Sequence, residues 1–129
     1  MISNINTVWT KISRAQYEEL IDVNIFSLMK EKLDNLLVVS SLLDYEINFI
    51  SQGSILGDFF TIEFINHNAC LRFCIINHIS SNDFREANIF IKTRYINYFE
   101  KVEETNDKNS IPMLLSYLLG IINAFSKVN

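Results

Sequence analysis

Two neighbouring runs of the chain carry their apolar residues with a period of two. Phe60, Ile62 and Phe64 alternate with Phe59, Thr61, Glu63 and Ile65, and Leu71, Phe73 and Ile75 alternate with Cys70, Arg72, Cys74 and Ile76. That period, in runs rich in β-branched and aromatic residues, is the signature of strands with one buried face. A turn over Asn66–Ala69, centred on His67 and Asn68, sets Phe64 against Leu71, Ile62 against Phe73 and Phe60 against Ile75, so both apolar sets reach the same side. The same register sets Glu63 against Arg72 on the other side, an opposite-charge pair that contributes at most about 1 kcal/mol.

Upstream the pattern turns helical. Ser13-Arg14-Ala15-Gln16 reads as a capping box, and Tyr17, Leu20, Ile21, Ile25 and Leu28 follow at helical spacing, with Glu18, Glu19 and Asp22 on the opposite side. A helix is expected from near Arg14 to about Val39 in one or two pieces, broken if at all near Asn24 or Asn35; Leu36–Val39 also reads as a buried strand. Residues 1–12 carry little pattern and form an arm whose Val8, Trp9 and Ile12 can dock on the body. Tyr45, Ile47 and Phe49, alternating with Glu46 and Asn48, predict a first strand that ends at the loop holding Gly53 and Gly57.

Downstream, Ser80–Asp83 is a turn composition. Ala87, Ile89 and Ile91 alternate with Asn88, Phe90 and Lys92 and predict a strand over 88–95, against a competing helical stripe of Phe84, Ala87, Ile91, Tyr95 and Tyr98. Residues 96–109, with Glu100, Glu103, Glu104 and Asp107 against Lys101 and Lys108, read as an acidic connection. Ser110 and Pro112 then open a helix over 110–127 with Ile111, Leu114, Leu115, Leu118, Ile121, Ile122 and Phe125 on one face. The fold expected is a single α+β domain over 1–129. An antiparallel sheet of about four strands within 44–95 is covered by an N-terminal helix or helix pair in 13–39 and by the C-terminal helix.

At 129 residues the chain is long enough to bury roughly two thirds of its unfolded surface. Its 49% hydrophobic and 20% charged content is that of a globular domain, not a disordered one. A formal net charge of −4 argues against wrapping nucleic acid, which takes clustered Lys and Arg, and favours a basic partner. The uncharged run of the last helix is shorter than a bilayer requires, so no membrane span is expected. The first ten residues lack a basic, apolar, small-residue leader, which places the protein in the cytoplasm.

Cys70, Cys74, His67 and His78 resemble a ligand set by type only. On one strand Cys70 and Cys74, like Cys74 and His78, lie roughly 13 Å apart, too far for a disulfide, a shared metal ion or a nucleophile–base pair. Neither metal nor cofactor is expected, and with no phosphate loop, zinc-protease motif or nucleophile elbow, no enzymatic activity either. Two surfaces remain. The sheet face away from the core mixes Phe59, Ile65, Ile76 and Phe90 with Glu63, Arg72, Lys92, Arg94 and His78. Such a mixture is ordinary for a half-exposed sheet, or else it is a partner-binding face anchored by Arg72, Phe90 and Lys92. The run from Glu100 through Glu103 and Glu104 to Asp107 is ordinarily a solvated loop, or else an attractor for a basic partner.

In overall size and layout the chain resembles the immunity proteins that neutralise toxins in bacterial contact-dependent growth inhibition and related polymorphic toxin systems. No motif carries functional residues over. The resemblance implies a monomer or homodimer that binds a cognate toxin domain, a basic nuclease, and blocks its active site or substrate path. A small acidic secretion chaperone holding an effector segment, and a small-ligand domain with a pocket under the C-terminal helix, are the alternatives.

Overall fold

The computed structural model describes residues 8–54, 57–67, 69–78, 84–93, 98–105 and 108–126. In chain order the elements are β1 (Val8–Ile12), α1 (Arg14–Leu20), α2 (Val23–Leu42), β2 (Glu46–Ser54), β3 (Gly57–Ile65), β4 (Ala69–His78), β5 (Phe84–Thr93), β6 (Tyr98–Thr105), one turn of 3₁₀ helix (Lys108–Ser110) and α3 (Ile111–Ser126). The class is α+β, with an antiparallel sheet and helices at both ends of the sequence.

The Ser13 capping box forms: Gln16 N–H donates to Ser13 Oγ at 3.1 Å, and Ser13 N–H donates to Gln16 Oε1 at 2.9 Å. The helical stretch is a pair, and it breaks at Ile21–Asp22, close to Asn24 and not near Asn35. Asp22 is the reason, because its carboxylate accepts from the backbone N–H groups of Asn24 and Ile25 at 3.0 and 3.2 Å and so caps a second helix. Tyr17, Ile21, Ile25, Met29, Leu33, Leu36 and Leu37 are buried, while Leu20 is exposed. Arg14 ties the two helices, donating through Nε to Glu18 at 2.7 Å and through Nη2 to Asp34 on α2. Leu36–Val39 is helical, and α2 ends where Asp44 takes a left-handed φ of 65°. That turn lets Tyr45 N–H close on Ser40 C=O at 3.0 Å and sends the chain into the sheet.

Among the described residues six strands lie in sequence order, each antiparallel to the next. Between β3 and β4, Phe64 faces Leu71, Ile62 faces Phe73, Phe60 faces Ile75 and Glu63 faces Arg72, the register that the alternation requires. The turn is pinned by Asn66, whose N–H donates to Ala69 C=O at 3.0 Å and whose Oδ1 accepts from Ala69 N–H at 2.8 Å.

Two edge strands join the expected set. The arm contributes β1, where a β-prone Val-Trp-Thr-Lys-Ile run pairs with β2. Residues 98–105, read from sequence as part of an acidic connection, form β6 paired with β5. The correction has a physical basis: an outer strand needs only one partner and gains from charge, which blocks pairing with other chains. Between 84 and 93 the chain is strand, not helix.

The helices cover the face bearing Phe60, Ile62, Phe64, Leu71, Phe73 and Ile75, and α3 turns Ile111, Leu114, Leu115, Leu118 and Ile122 into the same core. Two tyrosines span the layers. Tyr45 Oη donates to Ile122 C=O on α3 at 2.7 Å, and the fully buried Tyr17 reaches Phe60 C=O at 3.5 Å. Burial pushes the Tyr45 phenol up to about 12 and raises that of Tyr17 well above its ordinary value. Both remain protonated in the folded chain through a range where the unfolded chain has already lost those protons, so folding opposes ionisation. Stability is therefore expected to hold up to the ordinary phenol range near pH 10 and to fall above it. The slope is at most about 1.4 kcal/mol per pH unit for each tyrosine. Urea unfolding between pH 8 and 11.5 checks this, and Tyr45→Phe should flatten the alkaline slope; an unchanged slope would remove Tyr45 from the account.

Candidate functional site: a buried carboxylate on the open sheet face

The face of the sheet turned away from the helices carries Glu46, Asn48 and Ile50 from β2, Thr61, Glu63 and Ile65 from β3, and Cys70, Arg72 and Cys74 from β4. Backbone register aligns Asn48, Glu63 and Arg72 in one row, with Phe90 of β5 as the next position. Among the described residues, two of this face are buried outside the main core: Ile50, 2% exposed, and Glu63, 6% exposed.

Burying a carboxylate costs several kcal/mol unless its oxygens are satisfied. Glu63 has three donors around it. Arg72 Nε lies 2.9 Å from Oε2, Asn48 Nδ2 lies 3.2 Å from Oε1, and the Cys70 thiol lies 3.6 Å from Oε2. Asn48 Nδ2 also reaches Glu46 Oε2 at 3.0 Å. Arg72 is itself half-exposed, so the pair runs from a dry carboxylate to a wet guanidinium.

The cluster sets the chemistry of Cys70. Burial, followed by the charge of Glu63, pushes its thiol pKa up, and Arg72 only partly opposes this. Cys70 thus stays a protonated weak donor to Glu63 at neutral pH instead of a thiolate nucleophile. Glu63, with both oxygens engaged, is poorly placed as a general base.

Of the residues singled out from sequence, Arg72, Phe90 and Lys92 come together. Phe90 stands opposite Arg72, and Lys92 opposite Cys70. Glu100, Glu103 and Glu104 lie one strand further out, opposite Ile91, Ile89 and Asn88, on a strand with no described neighbour on its outer side. Asp107 lies outside the described residues. Sequence reasoning placed Glu63 on this face but not as its hub, and it did not single out Asn48 and Cys70 as its partners. Extending the hairpin register across β2 would have put Asn48 beside Glu63. Among the described residues no group of three His, Cys, Asp or Glu side chains could hold a metal ion, and no helix is long and apolar enough to cross a membrane.

Compared with protein-family models, curated proteins and solved structures, the chain matches none of them.

Proposed function

We propose that this chain is an immunity protein that binds and neutralises a cognate toxin domain, a basic nuclease, by covering its active site. The supporting observation is the placement of Glu100, Glu103 and Glu104 on the edge strand β6, beside the strand that carries Phe90 and Lys92. Register puts Glu104 on the face of Phe90 and Lys92, and Glu100 and Glu103 at positions of the helix-covered face. The acidic edge thus borders both faces of the sheet beside the mixed aromatic and arginine face, which gives the two parts of a rapid, tight encounter. Charge steers a basic partner in, and a few anchors hold it. On this reading the protein acts by occupancy and not by turnover, takes no cofactor, and works in the cytoplasm away from nucleic acid and membrane.

The test is to co-express this chain with the toxin domain encoded beside it, which should restore growth, and then to measure association of the two purified proteins. Reversing two charges, Glu103→Lys with Glu104→Lys, is expected to slow association at low salt by roughly tenfold or more and to flatten its salt dependence. The thermal midpoint should change little, because single charges on an edge strand contribute little to folding. An unchanged association rate would move the interface off β6 to the sheet face around Arg72, Phe90 and Lys92. Turnover of a substrate by the purified chain would overturn the occupancy reading altogether.

A further inference from the structure

We propose that Arg72 is a preorganised anchor for a carboxylate side chain of the partner protein, aimed by the buried Glu63. The inference rests on the reading of this chain as a binding protein but not on which toxin it meets.

Two arginines of the chain make the case by contrast. Arg14 bridges two carboxylates, donating through Nε to Glu18 and through Nη2 to Asp34. Arg72 has the first half of that arrangement only. Its Nε is taken by Glu63 at 2.9 Å, and among the described residues no oxygen accepts from its Nη groups. Among the described residues Arg72 is therefore one carboxylate short of the bridge that Arg14 completes.

The first carboxylate fixes the second site. Glu63 is buried and held on both oxygens, by Asn48 at 3.2 Å on Oε1 and by Cys70 at 3.6 Å on Oε2, so it cannot swing away with Arg72. A guanidinium fastened at Nε has already lost much of the rotamer freedom that an anchor otherwise loses on binding. Its charge is half-exposed at the surface, and its remaining N–H groups form a planar fork that matches a carboxylate. Phe90 in the adjacent register position gives the backbone placement of an aromatic neighbour, the composition typical of an interface centre. The row and its neighbour set Glu63 and Glu46 against Arg72 and Lys92 with no surplus of positive charge, which suits a monoanionic carboxylate better than a phosphate dianion.

The test uses the full chain, ¹⁵N-labelled, titrated with sodium acetate, sodium chloride or inorganic phosphate at equal ionic strength while the arginine side-chain N–H signals are followed by NMR. Acetate is expected to move the Arg72 signals along a saturating curve with a midpoint at roughly 0.1 M or below, the weak scale of a single partly desolvated charged pair. Arg14, already bridged, should respond no more to acetate than to chloride. Glu63→Gln is expected to weaken the Arg72 response about threefold or more, because the guanidinium loses its charged anchor. If that variant fails to fold, the contrast of Arg72 with Arg14 in the unaltered chain decides the matter alone. Equal responses to acetate and chloride, or an Arg72 response unaffected by a folded Glu63→Gln, would overturn the anchor. A response to phosphate at lower concentration than to acetate would overturn the carboxylate assignment. No toxin enters the titration, so its failure leaves the neutralisation reading standing, and failed growth rescue leaves the titration standing.

Discussion

Phe73→Ala is expected to lower the free energy of unfolding by about 3–5 kcal/mol, the usual range for emptying a buried aromatic site. Phe73 is fully buried on β4, between Ile62 of β3 and Ile89 of β5 in register, on the face that the helices cover. The lost ring leaves a void walled by strands on both sides, and a hydrogen-bonded sheet cannot close in to fill it. A domain of this size holds only about 5–15 kcal/mol in total, so the variant should sit near the edge of folding at physiological temperature. Urea unfolding is the measurement, read as a fall in midpoint at constant slope. Val38→Ala on the exposed side of α2 serves as the reference and should stay within about 0.5 kcal/mol. A loss below about 1 kcal/mol at Phe73 would mean that the helices do not seal the centre of the sheet.

Arg72→Met is the second large effect, and it acts through Glu63. Removing the guanidinium leaves a buried carboxylate with only an amide and a thiol as donors. Breaking a fully buried pair costs about 3–5 kcal/mol, but Arg72 is half-exposed and water can replace part of it, which brings the expected loss to about 1–3 kcal/mol. The double change Glu63→Leu with Arg72→Met should recover most of that loss, because an apolar pair has no charge to strand. A double-mutant cycle by urea unfolding checks both arms. A double variant no more stable than Arg72→Met would show that the cost came from lost packing of the arginine stem instead.

The central hairpin was legible because three independent signals agreed in one register: the apolar alternation, the turn residues and the Glu63–Arg72 charge pair. α3 was legible for a similar reason, since a face from Ile111 to Ile122 repeats at helical spacing over an uncharged run. The edges were harder. β6 holds Glu100, Lys101, Glu103 and Glu104, a composition that reads as solvated chain, because an outer strand is selected for charge as much as for β-propensity. β1 is five residues long, too short for a period to stand out. The break between α1 and α2 hid in Asp22, which sat on the polar side of the helical stripe and could be read as helix interior or as cap. At the candidate site, Arg72 was legible as an exposed cation on a strand. The burial of Glu63 was not, because it depends on how Asn48, Cys70 and Arg72 from three positions in the chain close over it.

The sequential order of the sheet bears on how the chain matures during synthesis. From β2 onward every strand finds its partner within the next few residues, so each pairing closes a short loop and the sheet can lengthen strand by strand as it is made. The helices are made in the opposite circumstances. α2 is complete at Leu42, with Ile25, Met29, Leu33, Leu36 and Leu37 all requiring cover, yet α3, the element it packs against most, spans Ile111–Ser126. At translation rates of about 5–20 residues per second, that apolar stripe waits for seconds with its burial surface still unsynthesised. The nascent helix pair is therefore a stretch dependent on chaperones, and codons that slow the ribosome between α2 and α3 would lengthen its exposure.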